Sequence, residues 1–168
     1  VGLKLDTGGQ VRTALGSSIL LRTEDGLIRL APSTTLAVNT DELGNRNLVL
    51  SSGRVYVECK NPDVTYQVDM PWGQVRGQGA RFGLLVSPDR SVLASVRVGV
   101  AMAETPSGEI AVNRDQELHI PFGQRPQEAT ALSEQEKTFW ARWANGPELG
   151  LLILTPTVYA TPTSTNTP

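Results

Sequence analysis

Cysteine and histidine are nearly absent from this sequence, which holds one residue of each. A single cysteine excludes an intramolecular disulfide, and its strand-like surroundings predict that Cys59 is a small buried core residue; the remaining alternative is an intermolecular disulfide. One Cys and one His cannot form a closed zinc site. His119 is the one histidine that could serve a catalytic serine, but the sequence lacks the Gly-x-Ser-x-Gly pattern of such a serine. We therefore expect His119 on the surface and expect the chain not to be an enzyme.

Long apolar runs and clusters of basic residues are also missing. No stretch approaches the roughly 20 apolar residues that span a bilayer, so we expect no membrane span in this chain. The formal net charge is −2 and Lys and Arg are scattered, which leaves no electrostatic footprint for nucleic acid. The acidic pairs at 24–25 and 41–42 lack calcium-loop spacing, and no phosphate-binding motif follows the glycines between 73 and 83. We therefore expect no metal and no cofactor.

The sequence is rich in signals for short strands. Between Gly9 and Pro121, turn residues separate about a dozen short stretches that are apolar or alternate between apolar and polar. The clearest is segment 91–103, in which alternate residues, Val96 and Val98 among them, are predicted to share a buried face. The expected fold is all-β, either a β-sandwich or a short β-solenoid.

One helix is predicted after the strands, over Ser133–Ala144. Ser133-Glu-Gln-Glu136 matches a capping box, in which the serine hydroxyl accepts from the Glu136 amide while the Glu136 carboxylate returns to the serine amide. Three aromatic residues share one side of this helix, namely Phe139, Trp140 and Trp143. They either fix the helix on a sheet edge or face, or form a surface that binds a partner protein.

The composition changes again after the helix. Residues 149–154 form a short apolar run, and Thr155–Pro168 has too few apolar residues to fold alone. We predict an extended tail whose apolar part pairs with a sheet edge, in another subunit or in the domain itself, and whose Thr and Ser hydroxyls accept O-glycans. The predicted partner-binding residues of the tail are Leu151, Leu152, Ile153, Leu154, Val158 and Tyr159.

Four stretches of the strand region occur in an order typical of one family. They are Gly9-Gln-Val-Arg-Thr with Ser17-Ser-Ile-Leu-Leu, then Asp25-Gly-Leu-Ile-Arg-Leu-Ala-Pro-Ser-Thr-Thr-Leu, then Leu48-Val-Leu-Ser-Ser-Gly-Arg-Val-Tyr-Val with Tyr66-Gln-Val-Asp-Met-Pro-Trp-Gly-Gln-Val, and Gly79-Ala-Arg-Phe. Together they resemble the FecR family, whose members are extracytoplasmic domains best known from iron-transport signalling and also found as modules in bacterial surface proteins. The resemblance covers about two thirds of the chain.

The resemblance implies an extracytoplasmic protein that is secreted, located on the cell surface or located in the periplasm. It divides the chain into a FecR-like β domain over 1–121, a linker with the aromatic helix over 122–148, and the tail over 149–168.

Two functions from different classes follow from these features. The signalling members add a sigma-regulating region and a membrane span that this sequence does not contain. The main expectation is therefore a non-enzymatic structural or assembly subunit of a bacterial surface structure such as a filament, a homo-oligomer or polymer joined through its tail. The alternative is an envelope signalling sensor or regulator that binds a receptor or another envelope protein. A carbohydrate-active enzyme with paired carboxylates is a third alternative.

Overall fold

The structure is a computed structural model that describes residues 8–145. Within those residues the chain forms 13 strands and one helix. They are β1 (Gly9–Arg12), β2 (Ile19–Arg22), β3 (Gly26–Leu30), β4 (Thr35–Thr40), β5 (Arg46–Cys59), β6 (Tyr66–Met70), β7 (Gly73–Gly77), β8 (Arg81–Val86), β9 (Val92–Val98), β10 (Val100–Thr105), β11 (Gly108–Asn113), β12 (Gln116–Ile120), β13 (Thr130–Ala131) and α1 (Glu134–Asn145).

The strands form one curled sheet whose two halves share β5. The order is β1-β4-β5-β6-β7-β10-β11 in one half and β2-β3-β5-β8-β9-β12-β13 in the other. Among residues 8–145, β5 and β6 are the only parallel pair. The all-β prediction is confirmed, and the antiparallel pairing makes this the sandwich-like of the two expected architectures.

Apolar side chains from both halves meet in a single core. Leu48 and Val68 come from one half and Phe82 and Val96 from the other, and each is at most 1% exposed. Burial of each such side chain contributes about 1.5–3 kcal/mol to stability. The halves approach so closely at Gly77 that an added Cβ there would lie 2.9 Å from the Phe82 ring.

Strand β5 passes from one half of the sheet to the other because it bends at Gly53. The backbone φ of Gly53 is +91°, and a Cβ there would lie 2.5 Å from the Thr34 Cα. Glycine is therefore the residue that this bend accepts. The turn-like Ser52-Gly53 pair predicts two strands, but the structure has one continuous strand of 14 residues.

The predicted burial of Val98 is wrong, whereas Val96 is fully buried. Phe82 pairs with Val96 and Arg81 with Val98, so Arg97 is an extra residue on β9. Such a bulge breaks the period-two alternation, and Gly99, with φ +76°, then turns the chain into β10. The buried residues of β10 are Ala101 and Ala103, while Val98 and Val100 are 44% and 46% exposed.

The predicted burial of Cys59 is confirmed, whereas His119, expected on the surface, is only partly exposed. Cys59 is 3% exposed and its thiol donates to the Val64 carbonyl oxygen at 3.2 Å. Burial raises the pKa of the Cys59 thiol above its ordinary value. His119 lies half-buried between the fully buried Leu118 and Ile120, which place it on the opposite face of β12.

Candidate partner-binding surface around the aromatic helix

The second half of β5 is buried on both of its faces. Val55 and Val57 point into the core, while Arg54 and Tyr56 point to the outer face of the sheet. Tyr56 is nevertheless only 4% exposed, because α1 covers this part of the sheet. The buried hydroxyl of Tyr56 has a pKa raised above its ordinary value, and burial is the main cause.

Aromatic rings attach α1 to the sheet. The Trp140 ring meets Tyr56 edge to face at 5.0 Å between centroids, and Trp143 stacks on Tyr56 at 5.7 Å. The Trp140 indole N–H donates to the Ser95 hydroxyl at 3.0 Å, so the polar atom of this buried side chain is satisfied. Of the two roles predicted for these side chains, the structure shows attachment of the helix. Phe139 and Trp143 remain half-buried, and a partner-binding role for the three aromatic residues stays a prediction.

The helix can approach the sheet because β8 carries a glycine beneath it. A Cβ at Gly83 would lie 3.0 Å from the Tyr56 ring and 3.3 Å from the Ser95 hydroxyl. These two neighbours are the residues that Trp140 contacts. Gly83 thus leaves the space that the aromatic cluster fills.

A buried ion pair joins the helix to β5. The Arg54 guanidinium donates to the Glu136 carboxylate at 2.7 Å, and Glu136 is 2% exposed. The predicted capping box is therefore only half present. The Ser133 hydroxyl accepts from the Glu136 amide at 3.2 Å, but the return contact to the Ser133 amide comes from the Glu117 carboxylate at 3.1 Å. The predicted hydrogen bond from the Ser133 amide to the Glu136 carboxylate is wrong, because that carboxylate is paired with Arg54, which is remote in the sequence.

A groove of about 770 Å³ runs beside α1 on the outer face of the sheet. Its volume lies within the roughly 300–1,000 Å³ of ordinary ligand pockets. The helix supplies one wall through Gln135, Phe139, Arg142 and Trp143. The other walls come from the loop residues 16, 18 and 31–33, from residues 52–53 at the bend of β5, and from the end of β8 with the residues that follow it, 85–88.

The groove combines aromatic surface with positive charge. Arg29, Arg54 and Arg142 line it, and among residues 8–145 no Asp or Glu lines it. Arg54 is paired with Glu136, whereas Arg29 donates to the backbone carbonyl of Trp143 at 3.0 Å. Burial lowers the pKa of the Arg29 guanidinium. The arrangement is suited to bind an apolar segment that also carries a carboxylate.

The sequence did not predict this groove. Its arginines come from β3, β5 and α1, and their proximity depends on long-range pairing. The one local sign of the groove is Arg54, a charged residue that is next to the apolar, buried positions of β5.

The predicted tail residues Leu151, Leu152, Ile153, Leu154, Val158 and Tyr159 lie outside the described residues. Tail-mediated assembly and O-glycosylation remain predictions. Within residues 8–145, no three His, Cys, Asp or Glu side chains are grouped closely enough to hold a metal ion. In the same part of the chain no helix has the length and apolar character needed to cross a membrane.

Two solved structures have a similar fold. Both are crystal structures of a proposed anti-sigma factor from Parabacteroides distasonis ATCC 8503, with TM-scores of 0.67 and 0.69 and 14% sequence identity. The match covers 79% of this chain and 64% of each of those chains, so this chain spans less than two thirds of their length. At this identity the likeness concerns the fold alone.

Sequence comparisons give one family. No curated protein matches this chain. The family model described as FecR protein matches residues 9–102, which contain β1 to β9 and the start of β10. This match spans more than half of the chain, and the chain belongs to the FecR family.

Proposed function

We propose that this chain is the regulatory domain of an extracytoplasmic signalling system and that it acts by binding a partner protein, without catalysis. The observation that carries the proposal is the FecR family match over residues 9–102. The fold likeness to a proposed anti-sigma factor supports it further. Of the two functions expected from the sequence, these findings favour the envelope regulator, and none of them supports a filament.

The groove beside α1 is the surface that we propose for the partner. It offers half-buried rings of Phe139 and Trp143 next to the arginines, and aromatic and arginine side chains are the residues that dominate binding at protein interfaces. The helix that forms its wall is fixed by the Arg54–Glu136 pair and by Trp140, so the surface is preorganised. The proposed partner segment carries an acidic residue close to apolar side chains.

Photo-crosslinking in the cells that naturally carry this chain tests the proposal. A benzoylphenylalanine replaces Gln135, which is exposed and lines the groove, and in a matched control it replaces Thr138, which is exposed on the same helix and does not line the groove. We expect Gln135 to crosslink to one envelope protein and Thr138 to give no such adduct.

The purified partner then allows a direct measurement of affinity. Arg142 is exposed at the wall of the groove, so Arg142→Glu should weaken binding at least about tenfold without unfolding the domain, as expected when a charged pair at an interface is replaced by like charges. Adducts only between copies of this chain, or equal adducts from both positions, would contradict the proposal and return the assembly function to first place.

A further inference from the structure

We infer that the groove beside α1 is the docking site of this chain's own segment Glu148–Leu154. A regulatory role of this docking rests on the proposed function, because a partner protein that binds the same groove must displace the segment. The docking itself is a property of the chain alone and is tested without a partner.

The chemistry of the segment matches that of the groove. Residues 146–168 contain one charged side chain, Glu148, and no Lys or Arg. The apolar run 149–154 follows Glu148 directly. The groove presents Phe139 and Trp143 as apolar surface and has three arginines, of which Arg54 is paired with Glu136, while no carboxylate of the described residues lines it. A carboxylate followed by leucines therefore meets a complementary surface in both charge and polarity.

Arg29 and Arg142 are the arginines of the groove that we propose as ion-pair partners of Glu148. Arg54 is already paired with Glu136, but within residues 8–145 neither Arg29 nor Arg142 has a carboxylate within ion-pair distance. Arg29 is half-buried, and its guanidinium binds only the backbone carbonyl of Trp143 among the described partners. A half-buried cation of this kind gains most from a carboxylate that shares its desolvated surroundings.

The position of the segment in the chain also fits. Trp143 lines the groove, and Glu148 follows it by five residues. Gly146 and Pro147 lie between them and are the residue types with which helices commonly end and the chain turns away. The helical wall from Gln135 to Trp143 is about 12 Å long at 1.5 Å per residue. Four extended residues already span about 13 Å, so the run 149–154 is long enough to line the whole wall after a reversal of direction.

Paramagnetic broadening in the full chain measures this docking directly. A nitroxide spin label is attached to Thr155→Cys, next to the segment, while the native Cys59 is buried and escapes the reagent. We expect selective broadening of the amide signals of Ser33, Gly53 and Ser87, which line the groove, and none at β11 on the far edge of the other half of the sheet.

Charge variants of the labelled chain test the predicted ion pair. Glu148→Arg and Arg142→Glu should each reduce the broadening at the groove several-fold, and the double variant with the charges exchanged should restore it. Glu128→Arg is the matched control, because Glu128 is exposed and does not line the groove, and it should leave the broadening unchanged.

Two outcomes overturn the inference. One is broadening that is absent from the groove or equal over the whole surface. The other is broadening in a mixture of two samples, one with the spin label but no nitrogen-15 and the other with nitrogen-15 but no spin label. Broadening in that mixture would place the segment of a second copy in the groove. Either outcome leaves the proposed function open to its own test, because partner crosslinking from Gln135 is measured separately.

Discussion

Glu136 is buried with its carboxylate against Arg54, and this ion pair lies between the helix and the sheet. At the scale of single residues it links the local start of α1 to the tertiary fold, since the Glu136 amide is also capped by Ser133. The Arg54 guanidinium also lies over the Phe139 ring, 4.1 Å from its centroid. One side chain of β5 therefore contacts both the Glu136 carboxylate and an aromatic ring of the helix.

We predict that Glu136→Gln lowers the free energy of unfolding by about 3 kcal/mol, because it leaves Arg54 as a buried charge without its counter-ion. The matched control is Glu134→Gln, two residues earlier in the same helix, whose side chain is 89% exposed and pairs with Lys137. The control should cost less than about 0.5 kcal/mol. Urea unfolding followed by tryptophan fluorescence measures both, and equal effects would show that the ion pair does not stabilise the helix on the sheet.

Three buried groups that lose a proton at alkaline pH, one thiol and two tyrosine hydroxyls, make the stability of the folded protein depend on pH. Burial raises the pKa of the Cys59 thiol and of the Tyr56 and Tyr66 hydroxyls above their ordinary values of 9.0 and 10.0. The unfolded chain therefore loses these protons at lower pH than the folded protein. Their contribution to stability is complete below about pH 8 and is lost as the pH rises through the folded values.

We predict that the free energy of unfolding decreases between about pH 8 and pH 11, with a shallower decrease in Tyr66→Phe because one titrating hydroxyl is removed. Urea titrations at several pH values measure the slope. Stability that is constant or increases with pH over this range would contradict the buried state of these groups.

At the scale of elements, the path of β9 into β10 decides which side chains reach the core. The bulge at Arg97 and the turn at Gly99 transfer the chain from one half of the curled sheet to the other. As a result Val96 and Val98 differ in environment although they are two residues apart in one strand. The core side of the chain moves from even-numbered residues in β9 to odd-numbered residues in β10.

This difference predicts opposite results for one substitution at two positions. Val96→Asp should abolish folding, because it removes about 1.5–3 kcal/mol of burial and places an unpaired carboxylate in the core. Val98→Asp should keep the fold within about 1 kcal/mol, since residue 98 is exposed and pairs with Arg81. Soluble expression and the melting temperature report both outcomes, and a folded Val96→Asp variant would refute the core assignment.

Local patterns in the sequence predict most strands and the helix. Turn residues and period-two alternation depend on neighbouring residues, so their positions can be read directly, and the Ser133 cap is read in the same way. The bulge at Arg97 and the continuity of β5 through Gly53 are set by contacts with distant residues. Residues far apart in the sequence also form the groove, and this is why no local motif indicates it.

At the scale of the whole molecule, a family domain and an added helix together form the candidate site. The matched family region ends at residue 102, whereas α1 begins at Glu134. The helix covers the outer face of one half of the sheet and turns it into a groove with aromatic and cationic walls. The regulatory function that we propose thus depends on a surface that includes residues outside the matched region.

The most direct test of the regulatory function is the transcript profile of the cells that carry this chain, with Arg142→Glu introduced on the chromosome. The control is Arg114→Glu, since the Arg114 side chain is 75% exposed and does not line the groove. We predict that a defined set of transcripts changes in Arg142→Glu cells and stays at wild-type levels in Arg114→Glu cells. A wild-type profile in Arg142→Glu cells, at equal levels of folded protein, would contradict the regulatory function.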